Sequence, residues 1–200
     1  MLKTRAVGIL VFSDVEVLDF CGPFEVFAIT PPDNEQKEFN VYIISEKNSP
    51  VIARNGLSIN PHYTIDNCPA LDILIVSGGI GTRQEMNNSN LTNWIKKCYP
   101  RLELLLSVCT GAMLLAKAGL LEGLEATTHH GALELLRKTA PNTVVHENKR
   151  FIDNGKIITS AGISAGIDMS LYVVSRLLGK DKAIETARIM EYDWHDIKPV

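Results

Sequence analysis

The sequence has no excess of positive charge. Its 20 Lys plus Arg stand against 23 Asp plus Glu, a net charge of −3, so nothing in its charge balance suits a phosphate backbone, and nucleic-acid binding is not expected. It has no apolar run near the ~20 residues that a membrane-spanning helix needs. The opening Met1-Leu2-Lys3-Thr4-Arg5-Ala6 leads into Val7–Phe12, an apolar stretch too short for a secretory h-region with its cleavage site. The expected location is therefore the cytoplasm, with no membrane partner. Cysteine is scarce. Cys21, Cys68, Cys98 and Cys109 contain no close pair, which argues against a CxxC redox motif and a zinc site, and in a reducing compartment they are expected to be free thiols. Internal repeats, low-complexity tracts and Pro/Ser-rich linkers are missing too, and the only loose polar stretch is Pro31–Lys37.

What is present is ordinary globular composition, with 46% hydrophobic and 22% charged residues. A chain of 200 residues fits one domain, 1–200, that buries roughly 70% of its unfolded surface. Aliphatic runs at Ala6–Phe12, Asn40–Ser45, Asp72–Ser77, Leu102–Val108 and Lys156–Ser160 read as strands, several apolar on both faces, as strands of a parallel sheet covered by helices are. Helices are predicted between and after them: 22–30 opening with Gly22-Pro23, 89–98, 110–118 stopped by Gly119, 131–139, 165–178 stopped by Gly179, and 181–191 capped by Asp181. The alternation implies an α/β/α sandwich with a mostly parallel central sheet. Asn55-Gly56 and Asn154-Gly155 predict small β-hairpins with type I′ turns.

Five segments could carry chemistry. In Leu104-Leu105-Leu106-Ser107-Val108-Cys109-Thr110-Gly111 a buried strand runs straight into a helix with a cysteine at the corner. A helix N-terminus at a strand's carboxyl end lowers a thiol's pKa and favours a nucleophilic thiolate, although a lone cysteine there also reads as buried structure. Asp19 sits in the apolar context Leu18-Asp19-Phe20 after the first strand. It reads either as a cap for a helix starting near Gly22 or as a functional carboxyl at the same sheet rim as Cys109. Val76-Ser77-Gly78-Gly79-Ile80-Gly81 fails as a dinucleotide fingerprint because Gln84 stands where Gly or Ala is needed. Its glycines read as a tight turn or as backbone N–H groups for an oxyanion site. Gly162-Ile163-Ser164-Ala165-Gly166 matches a hydrolase elbow formally. Too little chain follows it for the remaining triad members, so a helix start packed close to the sheet is the better reading. His129 and His130 are adjacent and, on a regular element, face different ways, so they make no metal pair.

Together these segments resemble the ThiJ/PfpI superfamily, relatives of the class I glutamine amidotransferases, and within it the isonitrile hydratase branch. The matching residues are Leu18-Asp19-Phe20 with Gly22-Pro23, Gly78-Gly79, Ser107-Val108-Cys109-Thr110-Gly111, Ala118-Gly119-Leu120-Leu121, Ala126-Thr127-Thr128-His129 and Ala165-Gly166-Ile167-Asp168. The resemblance implies a flavodoxin-like sandwich, a homodimer, and neither a metal nor an organic cofactor. It gives Cys109 the role of elbow nucleophile and Asp19 that of a protonated carboxyl beside the thiolate. Gly78, Gly79, Thr110, His129 and Ile163 fall on the oxyanion and substrate-binding side. Related regulators carry a helix-turn-helix domain after the sandwich, and a chain ending at Val200 is not expected to be one of them.

The implied activity is hydration of a small-molecule isonitrile to an N-substituted formamide through a Cys109 thioimidate, a lyase-type reaction. Two alternatives share the same cysteine: glyoxalase-like or amidase-like turnover of small carbonyl compounds, and a non-catalytic redox sensor. An aspartate at position 19, where the glyoxalase-like and protease-like branches carry glutamate, favours the hydratase reading. Cys21 and His130 depart from that branch near the pocket and bear on the substrate rather than on the nucleophile.

Overall fold

The run Ile73-Leu74-Ile75-Val76 is inaccessible to solvent at every position, a pattern that only a sheet covered on both faces provides. The computed structural model describes residues 3–32 and 36–196, so the polar stretch 31–37 and the N-terminal residues fall partly outside the description. In chain order the elements are β1 (Arg5–Leu10), α1 (Val17–Ile29), β2 (Phe39–Ser45), β3 (Val51–Ile52), β4 (Ser58–Ile59), β5 (Tyr63–Thr64), β6 (Ile73–Val76), α2 (Thr82–Glu85) and α3 (Ser89–Cys98). Then follow β7 (Leu104–Ser107), α4 (Ala112–Lys117), β8 (Glu125–Ala126), α5 (Leu133–Thr139), β9 (Val144–Val145), β10 (Phe151–Asp153), β11 (Ile157–Ser160), α6 (Ala165–Leu178) and α7 (Lys180–Ile189).

Among the described residues seven strands form the main sheet in the order β10-β11-β7-β6-β1-β2-β5. All neighbours are parallel except β10 and β11. This is the expected flavodoxin-like α/β arrangement. Register decides where the site falls: Leu10 pairs with Val76 and Val76 with Ser107, so β1, β6 and β7 end side by side. The segments after these strands carry Asp19, Gly78-Gly79 and Cys109, as the carboxyl rim of such a sheet requires.

Four local readings change. Helix α1 begins at Val17, five residues before Gly22-Pro23. Gly22 lies against Ile167 and Pro23 against the Gly166 turn of α6, so the pair is the flat contact between two helices rather than a helix start. Asn55 and Gly56 do have the positive φ of a tight hairpin, joining the separate β3–β4 pair. The Asn154-Gly155 hairpin instead forms the antiparallel edge of the main sheet, and only Gly155 has positive φ. Asn154 spends its side chain on the backbone of Glu125 in β8. Asp181 lies in the first turn of α7, whose cap is Gly179. Cys109–Gly111 forms a 3-10 turn, and α4 starts only at Ala112.

Candidate active site

Cys109 is held by its backbone. Its φ of 56° lies in the left-handed region, which costs a non-glycine residue roughly 1–2 kcal/mol. Its N–H donates to the Ala161 carbonyl at 3.2 Å, and its own carbonyl accepts from the Thr128 hydroxyl at 2.7 Å. The side chain is buried. Gly162 closes over it so tightly that a Cβ there would stand 3.0 Å from Sγ and 2.5 Å from His129 Cδ2. The residues of the G-x-S-x-G look-alike thus pack against the elbow. Ser164 itself is exposed, and among the described residues its hydroxyl meets only the Arg150 guanidinium, which argues against a serine nucleophile.

Asp19 is the third residue of α1 and is wholly inaccessible. The helix cap is Glu16, so the capping explanation for Asp19 does not apply. Both carboxyl oxygens are sealed from solvent without a hydrogen bond of full geometry. Burial pushes the carboxyl up, Cys109 and the Gly78 N–H pull it down less, the charge of Glu16 adds to the rise, and the balance raises its pKa to about 7. A Cβ on Gly78 would lie 2.5 Å from Thr110 N, 2.7 Å from Asp19 Oδ2 and 2.8 Å from Cys109 Cβ. Only glycine lets these three groups converge.

The thiol differs from expectation. Burial, then the charge of Asp19, pushes the Cys109 thiol up, and only the N–H and hydroxyl of Thr110 work the other way. The dipole argument fails locally because α4 begins three residues after the sulfur. Burial is also the leading upward cause at Cys21, Cys68 and Cys98, the last reaching about 11. Asp19 disfavours the Cys109 thiolate while the Cys109 thiol favours the Asp19 carboxylate, so the two titrate as a coupled pair that keeps at least one proton at neutral pH.

The glycine tip divides its labour. Gly79, with φ 130°, packs so closely on 14–16 that a Cβ would meet Asp14 O at 2.4 Å. Its N–H is engaged by Thr110 Oγ1 at 2.9 Å, so it is a structural donor rather than a free oxyanion donor. The Thr110 N–H is turned toward the sulfur instead. His129 accepts from the Gly131 N–H through Nδ1 at 3.1 Å, which leaves Nε2–H as its donor. Burial, then His130 and Arg83, hold its pKa below the usual value. The two imidazoles do not diverge: they lie in an irregular turn with centroids 4.2 Å apart. Among the described residues no cluster of His, Cys, Asp or Glu is arranged to hold a metal ion.

A cleft of about 130 Å³ opens over the elbow, with Gly79, Thr110, His129 and Ile163 around Cys109. Asp19 and Gly78 lie behind its wall. Four residues that sequence reasoning did not place in the site also line it: Glu16, Arg54, Ile80 and Arg83. Arg54 neighbours the Asn55-Gly56 turn and Arg83 follows the glycine tip, so proximity to those two turns was the available signal. Among the described residues no helix is long and apolar enough to cross a membrane.

Comparison with known proteins agrees with this fold. The isonitrile hydratase of Pseudomonas putida is 33% identical over 186 residues, covering 93% of this chain and 78% of that protein. An HTH-type transcriptional regulator of Pseudomonas aeruginosa is 25% identical over 189 residues, or 94% of this chain, which spans about half (51%) of the regulator's length. A ThiJ/PfpI family protein from Pseudomonas syringae superposes with a TM-score of 0.87 at 28% identity, covering 97% of this chain and 77% of that one. Drosophila melanogaster DJ-1beta shares the fold, with a TM-score of 0.81 at 18% identity over 96% of this chain and 100% of that one. The sequence model of the DJ-1/PfpI family matches residues 5–176, and the chain belongs to that family.

Proposed function

We propose that the protein is a cysteine-dependent hydratase converting an isonitrile to an N-substituted formamide. The observation that carries this reading is the Asp19 carboxyl, sealed beside Cys109 with neither oxygen hydrogen-bonded in full geometry and its pKa pushed up to about 7. A buried carboxyl without partners is costly, and one placed to pass a proton to and from a sulfur nucleophile has a use for that cost.

When the proton of the pair rests on Asp19, the sulfur is a thiolate. It bonds to the terminal carbon of R–N≡C, and Asp19 gives its proton to that carbon, forming the thioimidate Cys109–S–CH=N–R. Water then adds its oxygen to the same carbon. One water proton ends on nitrogen. The other returns to Asp19 as the C–S bond breaks, releasing R–NH–CHO and restoring the pair. The Thr110 N–H and the neutral His129 Nε2–H are the donors available for the developing charge. A linear group with its reactive carbon at the tip suits a narrow cleft of about 130 Å³ with sulfur at its base.

Burial of Cys109, with Gly162 packed against its sulfur, weighs against the redox-sensor alternative, which needs an accessible thiolate. The test is product analysis of wild type and Cys109→Ala incubated with an alkyl isonitrile and, separately, with methylglyoxal. Formamide from wild type alone supports the reading. Formamide at equal rates from both proteins overturns it, as does lactate formation without formamide.

A further inference from the structure

Arg83 lines the Cys109 cleft and, among the described residues, has no carboxylate paired with it. It is the second residue of α2, directly after the glycine tip, and its guanidinium turns back over that tip. Its only hydrogen bond there among the described residues is a limiting 3.5 Å approach to the Gly79 carbonyl. Both lone pairs of that oxygen are already engaged, by the hydroxyls of Thr110 at 2.9 Å and Thr82 at 2.7 Å. The other guanidinium of the cleft, Arg54, has Glu16 at 3.7 Å. Glu16 and Arg54 offset each other and Asp19 is buried behind the wall, so among the described residues Arg83 is the one guanidinium of the cleft without an ion pair.

We infer that Arg83 anchors a carboxylate on the substrate. Resting on the hydratase reading, this names the substrate class as isonitriles that carry a carboxylate a few bonds from the isonitrile carbon. A guanidinium presents a planar fork matched to a carboxylate. An anchor at the mouth and a nucleophile at the base of so small a cleft together fix a short substrate at both ends, which is the arrangement that turns binding into orientation.

Two measurements separate this inference from the reading beneath it. The first follows alkylation of the Cys109 peptide by iodoacetate and by iodoacetamide, a pair that differs in one charge and needs no turnover. The wild-type iodoacetate-to-iodoacetamide rate ratio should fall by about tenfold or more in Arg83→Gln, the weight of a charge-assisted hydrogen bond. Arg83→Lys should keep part of it. The second compares kcat/KM for isocyanoacetate and its methyl ester, where the acid should be preferred by a similar factor in wild type and not in Arg83→Gln. An alkylation ratio unaffected by Arg83→Gln overturns the anchor whether or not isonitriles are hydrated, and equal use of acid and ester overturns the substrate class. An Arg83-dependent ratio without formamide from either compound removes the hydratase reading while keeping the anchor.

Discussion

Thr110 and Gly79 are bonded to each other twice: the Thr110 hydroxyl accepts from the Gly79 N–H and donates to the Gly79 carbonyl, both at 2.9 Å. One buried side chain thereby fastens the tip after β6 to the elbow after β7, beside the bonds from Ala161 and Thr128 that hold Cys109 itself. Thr110→Val keeps the shape and removes both bonds, leaving a buried N–H unpaired. It should lower unfolding free energy by ~1–3 kcal/mol and slow turnover, whereas Thr110→Ser should retain both properties. Urea unfolding and isonitrile hydration measured on the two variants check this. Equal behaviour of Val and Ser would show that the hydroxyl is dispensable.

The left-handed backbone of Cys109 makes an unusual comparison possible. Alanine at that position loses the sulfur and keeps the strain. Glycine loses one more carbon but is freed of a cost of roughly 1–2 kcal/mol, offset in part by ~0.4–1 kcal/mol of extra unfolded-chain entropy. Cys109→Gly should therefore be at least as stable as Cys109→Ala, the reverse of the usual order, with both inactive. A clearly less stable glycine variant would mean that the elbow's φ is not a source of strain.

Thiol labelling should follow burial. Cys21 and Cys68 are half-buried, while Cys109 is enclosed and its thiol pushed up by burial and by Asp19. Iodoacetamide at pH 7 should label the first two before Cys109, and Asp19→Asn, which removes the charge beside the sulfur, should speed labelling of Cys109. Time-resolved peptide mass spectrometry reads all the sites at once. Cys109 labelling first in wild type would place the resting proton of the pair on Asp19.

These expectations mark how far the sequence carries. The strands were legible because runs such as Leu104-Leu105-Leu106 are buried on both faces, and their order implied which loops meet at one rim. The Cys109–Asp19 pairing followed from that rim and from the family resemblance. What escaped depends on packing. Gly22-Pro23 looked like a helix start, yet these residues sit inside α1 because Ile167 and Gly166 need a flat partner. The elbow dipole looked activating, yet the 3-10 turn sets α4 back from the sulfur. Arg54 and Arg83 have no pattern of their own, and only the fold brings a hairpin turn and a glycine tip to one cleft.

Asp19 joins complete burial to a pKa pushed up to about 7, with burial as the leading cause. The folded protein therefore keeps a proton that the unfolded chain gives up near pH 4. Between those two values the folded state binds more protons, so the stability that Asp19 contributes is fully present below about pH 4 and lost as pH rises through about 7. The loss amounts to at most about 4 kcal/mol, at roughly 1.4 kcal/mol for each pH unit. Asp19→Asn cannot ionise, so the stability of wild type relative to this variant should decline across that window, and because only the difference is read, other carboxylates cancel. The same substitution keeps the shape of the site but leaves no transferable proton, so turnover should fall by ~10²–10⁴. A helix-cap role is already excluded by Glu16 standing at the cap, so loss of turnover in a folded variant has one reading. Undiminished turnover would remove Asp19 from the chemistry, and a stability difference that stays flat with pH would show that the carboxyl is ionised in its buried site.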